Sequence, residues 1–312
     1  MNNVSQKYIL VKRNTRLQDL IIKYNTVDQA KFYIEHMGID FDDYLMEDKV
    51  YQLALKSCQE ILIKLGRVQV LSREYVPNYL FDEKDIIIVL GQDGLVANTL
   101  KYLQGQPVVA INPDSNRWDG ILLPFKVKDI QKILNDLTQG RRTIKEISMA
   151  QAVLNNGQIL YGVNDLFIGQ RTHVSARYSL RVGHNEEEQS SSGIIVSTGL
   201  GSTGWLKSVV AGAARTMDVF MNMKTESSVL DTRLPWDTDE LIFTVREPYP
   251  SKRTGTNIVF GKINHKTPLI IQSQMPENGC IFSDGIEEDY LEFNSGVEAK
   301  IQVANKKGQL VV

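Results

Sequence analysis

A chain of 312 residues is long enough for two domains at roughly 100–200 residues each. Apolar residues at 42% and charged residues at 23% match an average globular chain, which excludes a disordered tail, a collagen or a coiled-coil rod. With 35 basic and 37 acidic residues the net charge is −2, so no overall basic field exists for nucleic acid, while a local basic patch for a phosphorylated small molecule stays open.

The longest apolar runs are about six residues, against the roughly 20 that a bilayer span needs, so no membrane helix is expected. The first residues show neither a long apolar stretch nor a small-residue cleavage site and are read as no signal peptide. Two cysteines, Cys58 and Cys280, make neither a disulfide framework nor a four-ligand zinc site. They are read as buried thiols of a reducing compartment, and the expected location is the cytoplasm. His36, His173, His184 and His265 are scattered, with no paired spacing for a metal.

In chain order, Tyr8–Val11 reads as a strand and two helices follow. Thr26 and Gln29 fit a capping box opening the second, and Gly38 fits its stop. Leu55, Cys58, Leu62 and Leu65 then recur at helical spacing and share one buried face, with Gly66 as terminator. Val68–Leu71 is a weak strand. Ile86–Leu90, continuously apolar and β-branched, reads as a strand buried on both faces. Gly91 and Gly94 turn it into a short helix over 95–104, and Val108–Ile111 is the next strand. Strands alternating with helices imply a parallel sheet.

After Arg141 and Arg142 the pattern changes. Asn155-Asn156-Gly157 between two apolar pairs signals a hairpin. Alternation from Val174 to Val182 reads as a strand with one wet face. Strand-like pieces follow at 193–198, 241–246, 257–261, 269–274, 280–283 and 297–303, with a helical insert near 204–224. The second half is therefore mostly β, arranged as a sandwich, and the boundary falls near residue 145.

Four places can carry chemistry. Gly91-Gln92-Asp93-Gly94 lies where a parallel strand ends and a helix begins, the edge at which open α/β sheets bind ligands. Glycines and free helix N–H groups suit a phosphate there, and Asp93 can hold Mg²⁺ or accept a proton from an attacking hydroxyl; the plain alternative is a helix cap. Gly199 to Gly204 matches G-x-G-x-x-G, the dinucleotide fingerprint of oxidoreductases, but the strand and acid expected about 20 residues on are missing. It also reads as a glycine-rich loop offering amides and the Ser202 and Thr203 hydroxyls to a nucleotide. Asn164-Asp165 follows a hairpin strand, and an adjacent amide and carboxylate can hold a ribose diol. As an exposed carboxylate, Asp165 is expected to serve affinity and not stability. Asp284-Gly285, with Glu287, Glu288 and Asp289 nearby, reads as an acidic turn before it reads as a metal cluster.

Taken together and in order, these pieces resemble the NAD kinase family, whose usual forms are GGDGT, NE, TPTGSTAY and a late DG. This chain has GQDGL at 91–95, ND at 164–165, TGLGSTGW at 198–205 and DG at 284–285. The stretches 163–170, 191–205 and 243–248 look most like the mitochondrial-type branch, and the resemblance runs from about residue 85 to about residue 300. It implies an N-terminal α/β domain with a parallel sheet over 1–145, a C-terminal β-sandwich domain over 146–296 of the NAD kinase and diacylglycerol kinase type, and a tail over 297–312 returning to the first domain. The site is expected in the cleft between the domains.

The resemblance implies transfer of a phosphoryl group from ATP to the 2′-hydroxyl of the adenosine ribose of NAD, with Mg²⁺ accompanying ATP and no metal ligand assigned from side chains. Asp93 matches the catalytic aspartate, and Gly91, Gln92 and Gly94 match the phosphate-binding turn. Asn164, Asp165, Thr198, Gly201, Ser202, Thr203 and Trp205 match the NAD-binding segments. A homo-oligomer, dimer or tetramer, is implied, with neither nucleic acid nor membrane as partner. Gln92, Leu95 and Asp165 depart from the family's Gly, Thr and Glu, while Gly199 and Leu200 replace its Pro and Thr. A non-catalytic nucleotide-binding regulator on the same fold is the first alternative; an NAD(P)-dependent oxidoreductase and a lipid kinase stand behind it.

Overall fold

The computed structural model describes residues 6–226 and 231–312. Contacts divide the chain into one unit of residues up to Lys145 with Gln309–Val312, and a second of Glu146–Gly308.

The first unit contains β1 (Lys7–Lys12), α1 (Arg16–Tyr24), α2 (Val27–His36), α3 (Asp42–Leu65), β2 (Arg67–Ser72), β3 (Ile86–Leu90), α4 (Asp93–Leu100), β4 (Pro107–Asn112), the short β5 (Phe125–Lys126) and α5 (Ile130–Thr138). Strand pairs β1–β2, β1–β3 and β3–β4 are all parallel. Every residue of β3 is buried, as its unbroken apolar run requires. On one face, Leu10, Ile88, Leu90, Val109 and Ile111 pack against Cys58 and Leu62 of α3 and Ile130, Ile133 and Leu134 of α5. Each such Leu or Ile contributes roughly 1.5–3 kcal/mol over exposure. Gly66 caps α3, and Gly38, at φ +75°, follows α2. The Thr26 side chain caps α2, while the reciprocal capping box belongs to Thr15 and Gln18 at the start of α1. The helix after β3 starts at Asp93 and ends at Leu100, earlier at both ends than the pattern implied.

The second unit begins within β6 (Ile144–Leu154), which forms the expected hairpin with β7 (Ile159–Gly162); Gly157 takes φ +86° in its turn. Then come β8 (Asp165–Gln170), β9 (Ala176–Val182), β10 (Asn185–Ser191), β11 (Ile194–Ser197), α6 (Trp205–Met221), β12 (Leu241–Val245), β13 (Phe260–Ile263), β14 (Leu269–Ser273), β15 (Gly279–Ser283), β16 (Ile286–Glu292) and β17 (Glu298–Val311). One antiparallel sheet runs β13-β12-β11-β8-β15-β16. It faces a second layer containing β9, β14 and the first part of β17, and the sandwich core joins Leu166, Ile168, Val196, Phe243 and Ile281 to Tyr178, Leu180, Ile271 and Ile301. The architecture is thus an α/β unit with a parallel sheet and a β-rich unit. Strands β8, β10 and β16 escaped the sequence reading, and the strand expected at 257–261 is displaced to Phe260–Ile263. Of the polar stretch 221–228, residues 222–226 form no strand, and 227–228 lie outside the described residues.

At the end of β17, Gln309 and Leu310 pair in parallel with Pro107 and Val108 of β4 inside the first unit.

Candidate active site

In the first unit, the β3–α4 turn is compact. Gln92 is the N-cap of α4, with φ −134° and ψ 169°, so the backbone there is extended and needs no glycine. Leu95 is buried beneath the turn, and a Cβ on Gly91 would lie 2.7 Å from its Cδ2. The two departures from the family pattern therefore fit the local geometry: Gln92 tolerates its Cβ, and Leu95 fills space under Gly91. A Cβ on Gly94 would meet nothing within 4 Å, so that backbone is open to a ligand. Asp93 is the first helical residue and does not act as the N-cap; its Oδ1 accepts a hydrogen bond from the Leu122 amide at 2.7 Å. This bond holds the carboxylate at the carboxyl edge of the sheet.

In the second unit, the loop leading into β8 is gripped from two sides. The Asp284 carboxylate accepts hydrogen bonds from three consecutive amides: Val163 at 3.0 Å, Asn164 at 2.6 Å and Asp165 at 3.4 Å. Asp284 and Gly285 form the turn between β15 and β16 at φ +56° and +70°, which settles that stretch as a turn with a partner. From the other side, the Thr198 hydroxyl donates to the Val163 carbonyl at 2.6 Å, and the Thr198 amide donates to the Asn164 carbonyl at 2.9 Å. Among the described residues only backbone atoms of Asn164 are bonded, which leaves its side chain for a ligand.

Asp165 opens β8 opposite Ser197 of β11 and is only 8% exposed. This corrects the expectation of an exposed carboxylate: β8 is central in its sheet, flanked by β11 and β15. Burial pushes the Asp165 carboxyl up to about 7, and the neighbouring Asp284 charge adds to the rise.

The Thr198–Trp205 segment is shaped by its glycines. A Cβ on Gly201 would overlap the Asn164 carbonyl oxygen, and one on Gly199 would overlap that of Pro235. Ser202 is fully buried; its hydroxyl donates to the Gly199 carbonyl at 2.7 Å and accepts from the Leu234 amide at 3.1 Å. So Ser202 is turned inward, and of the two hydroxyls expected to face a nucleotide only that of exposed Thr203 faces solvent. Strand β11 is antiparallel to both β8 and β12, and Gly201–Thr203 is a single 3-10 turn. The parallel βαβ setting that the oxidoreductase fingerprint requires is absent from this segment.

Trp205 begins α6 and stacks on Phe167 with centroids 5.9 Å apart; Phe167 in turn stacks on Phe282 at 4.8 Å. These rings line a cavity of about 410 Å³ together with Tyr290, Arg171 and Arg246. Arg246 sits over the Trp205 ring at 5.6 Å and Arg171 over Tyr290 at 4.4 Å. Phe167 and Asp165 are two residues apart on β8, so they share a sheet face. The sequence reading missed Asp284 as a clamp and Phe167, Phe282, Arg171 and Arg246 as a cavity wall. Only the Asp-Gly dipeptide carried a signal.

No family model matches the chain. Among curated proteins it is similar to NAD kinases: 29% identical over 130 residues to that of Cupriavidus pinatubonensis, covering 39% of this chain and 42% of the relative. The Clostridium kluyveri protein is 30% identical over 129 residues, 39% and 44% of the two chains. The Clostridium tetani protein is 26% identical over 176 residues, 54% and 61%. None of these alignments reaches two thirds of the relative's own length. Among solved structures, yeast NADH kinase complexed with NADH has a TM-score of 0.60 at 13% identity, over 99% of this chain and 84% of that one. An Archaeoglobus fulgidus NAD kinase in complex with ATP has 0.58 at 16%, over 98% and 93%. The fold is that of the NAD kinases, and the sequence relatives support the same family.

Proposed function

We propose that this chain is an NAD kinase that transfers the terminal phosphoryl group of ATP to the 2′-hydroxyl of the adenosine ribose of NAD, making NADP. The observation that carries the reading is the double grip on the 163–165 loop by Asp284 and Thr198, which fixes an amide and a carboxylate side by side. The carboxylate accepts from ribose hydroxyls, and the Asn164 amide both donates and accepts. The ring cavity of Trp205, Phe167 and Phe282 supports recognition of a flat heterocycle, and its arginines support recognition of phosphate.

In the reaction, the 2′-oxygen forms a bond to the terminal phosphorus, the bond from that phosphorus to the ADP oxygen breaks, and the hydroxyl proton passes to the Asp93 carboxylate. Such transfer depends on positioning and charge neutralisation more than on a strong base. The Leu122 amide orients Asp93 for this role. Among the described residues no group of three His, Cys, Asp or Glu side chains gathers to hold a metal. Mg²⁺ accompanying ATP would be held through the nucleotide phosphates with Asp93 as the nearest candidate carboxylate, and would supply neutralisation of the phosphate charge.

The mitochondrial-type likeness, cytoplasmic location and homo-oligomeric state belong to the same proposal. No helix among the described residues is long and apolar enough to cross a membrane. Exposed Met217, Val219, Phe220 and Met221 on α6 support self-assembly. Incubation with NAD and Mg-ATP, read by an NADP-specific coupled assay, tests the function. NADP formation separates the kinase from a silent regulator and from an oxidoreductase; binding of NAD without product would support the regulator.

A further inference from the structure

Between α6 and β12 the chain returns through residues 231–240, which contain no strand. Their burial nevertheless alternates strictly. Thr232, Leu234, Trp236, Thr238 and Glu240 are partly buried, and Asp231, Arg233, Pro235, Asp237 and Asp239 are exposed. A period of two marks an extended segment with one face laid against the body of the protein. The first half of this strap lies against the Gly199–Gly204 loop.

Three points hold the loop. The Thr232 hydroxyl donates to the Ser202 carbonyl. The Leu234 amide donates to the Ser202 hydroxyl at 3.1 Å. The Pro235 carbonyl presses on Gly199, where a Cβ would overlap its oxygen. Beyond these points the strap is itself fixed. The Trp236 carbonyl accepts from the Ser148 amide of β6 at 2.8 Å, and the Thr238 amide donates to the Pro235 carbonyl at 3.2 Å. On the outer face, exposed Asp231 and Arg233 pair with each other.

We propose, on the reading that the Thr198–Trp205 segment binds NAD, that Thr232 and Ser202 are positioning residues for the dinucleotide. Neither side chain touches the ligand. Together they hold the glycine-rich loop in its binding conformation before NAD arrives.

The need for such a hold lies in the loop's composition. Gly199, Gly201 and Gly204 widen its backbone freedom, and its regular structure amounts to one 3-10 turn. A loop of this kind that ordered only on binding would subtract its lost entropy from the affinity. Here the ordering is complete in the folded chain. The strap engages Ser202 at both its hydroxyl and its carbonyl, and the same hydroxyl donates to the Gly199 carbonyl at 2.7 Å. The Gly201 amide donates to the Thr198 hydroxyl at 3.1 Å, and that hydroxyl donates to the Val163 carbonyl. A continuous path of bonds therefore runs from Thr232 through Ser202 and Thr198 to the loop carrying Asn164 and Asp165. The path gives the inward turn of Ser202 a purpose, while adjacent Thr203 stays exposed. Trp205 opens α6 directly after the loop, so the seat of its ring on Phe167 depends on the same hold.

Calorimetric titration of NAD into the full chain, with steady-state kinetics on the same preparations, tests the strap. Thr232→Val replaces the donor hydroxyl with a methyl, and Ser202→Ala removes the acceptor of the Leu234 amide. Each is expected to raise Kd and KM for NAD about 10-fold or more and to leave KM for ATP within roughly twofold. The entropy of NAD binding should become more unfavourable in both, because the loop then orders on binding. Thr232→Ser keeps the donor and should restore the parent affinity. If Thr232→Val does not fold, Ser202→Ala decides by the same readouts. NAD affinity unchanged in the folded variants, even with a lower melting temperature, overturns the strap's role and leaves the kinase reading standing. An equal rise in KM for NAD and ATP does the same. NAD that binds the parent chain, binds more weakly to the variants and is never converted to NADP upholds the strap and overturns the kinase reading. No NAD binding by the parent chain overturns both.

Discussion

The carboxylate of Asp284 lies 2.6 Å from the backbone nitrogen of Asn164, 120 residues earlier in the chain. It binds the Val163 and Asp165 amides as well, so one side chain from the β15–β16 turn sets the path of the whole loop. Asp284→Ala strands these amides, each a loss of about 1–3 kcal/mol when buried. We expect a lower melting temperature together with NAD binding weakened at least 10-fold. Asp284→Asn keeps one acceptor oxygen and should fall between. Calorimetry and a melting curve on the same preparations decide; undisturbed NAD affinity in Asp284→Ala would remove the clamp from the site.

Asp165 makes the stability of the protein pH-dependent in an unusual direction. Its folded-state value of about 7, raised first by burial and then by Asp284, lies above the ordinary 3.8. The folded chain keeps this proton where the unfolded chain has released it. The contribution is therefore most favourable at low pH, falls as pH rises from about 4 to about 7, and is level above. A shift of about three units corresponds to at most about 4 kcal/mol over that window. Asp165→Asn should melt higher than the parent chain at pH 8, with the gap shrinking toward pH 5, while NAD binding weakens at least 10-fold. A constant gap across that range would show that Asp165 does not titrate there.

Two glycines separate packing from ligand approach. Gly201→Ala forces a methyl into the Asn164 carbonyl, so we expect at least 1–3 kcal/mol of destabilisation and loss of NAD binding. At Gly94 a methyl meets open space, and alanine is the better helix former by up to about 1 kcal/mol. Gly94→Ala should keep or raise the melting temperature while impairing ATP-dependent turnover, because the methyl stands where phosphate approaches the backbone. Full turnover in Gly94→Ala would separate that turn from the donor.

Trp205 stacks on Phe167 beneath Arg246. NAD is expected to quench its fluorescence, and Trp205→Ala should weaken NAD binding about 10-fold, or about 1.4 kcal/mol. An emission spectrum unaltered by saturating NAD would place the dinucleotide elsewhere.

Much of the fold was legible because local signals agreed with tertiary packing. The unbroken apolar run of β3 and the helical spacing of Leu55, Cys58 and Leu62 each admit one reading. Strand β10, with Glu186, Glu187 and Glu188 in sequence, carries no apolar alternation, because it borders β9 and only Gln189 and Ser191 are buried. Strand β8 opens with a carboxylate whose burial depends on strands more than 25 residues away. At the site, Asn164, Asp165 and the Thr198–Trp205 segment were legible as residue types. What they bond to was not: Ser202 turns inward, and Asp284 reaches the loop only through a sheet formed by distant pairing.

The most direct test of the central claim is steady-state NADP formation from NAD and Mg-ATP by the parent chain and Asp93→Asn, with NAD affinity measured in parallel. The substitution keeps the side chain's shape and the acceptor for the Leu122 amide, and removes the charge that takes the proton. The account predicts NADP formation by the parent chain, a kcat lower by about 10²–10⁴ in Asp93→Asn, and near-unchanged NAD affinity. No NADP from the parent chain, or near-full turnover in Asp93→Asn, would contradict it.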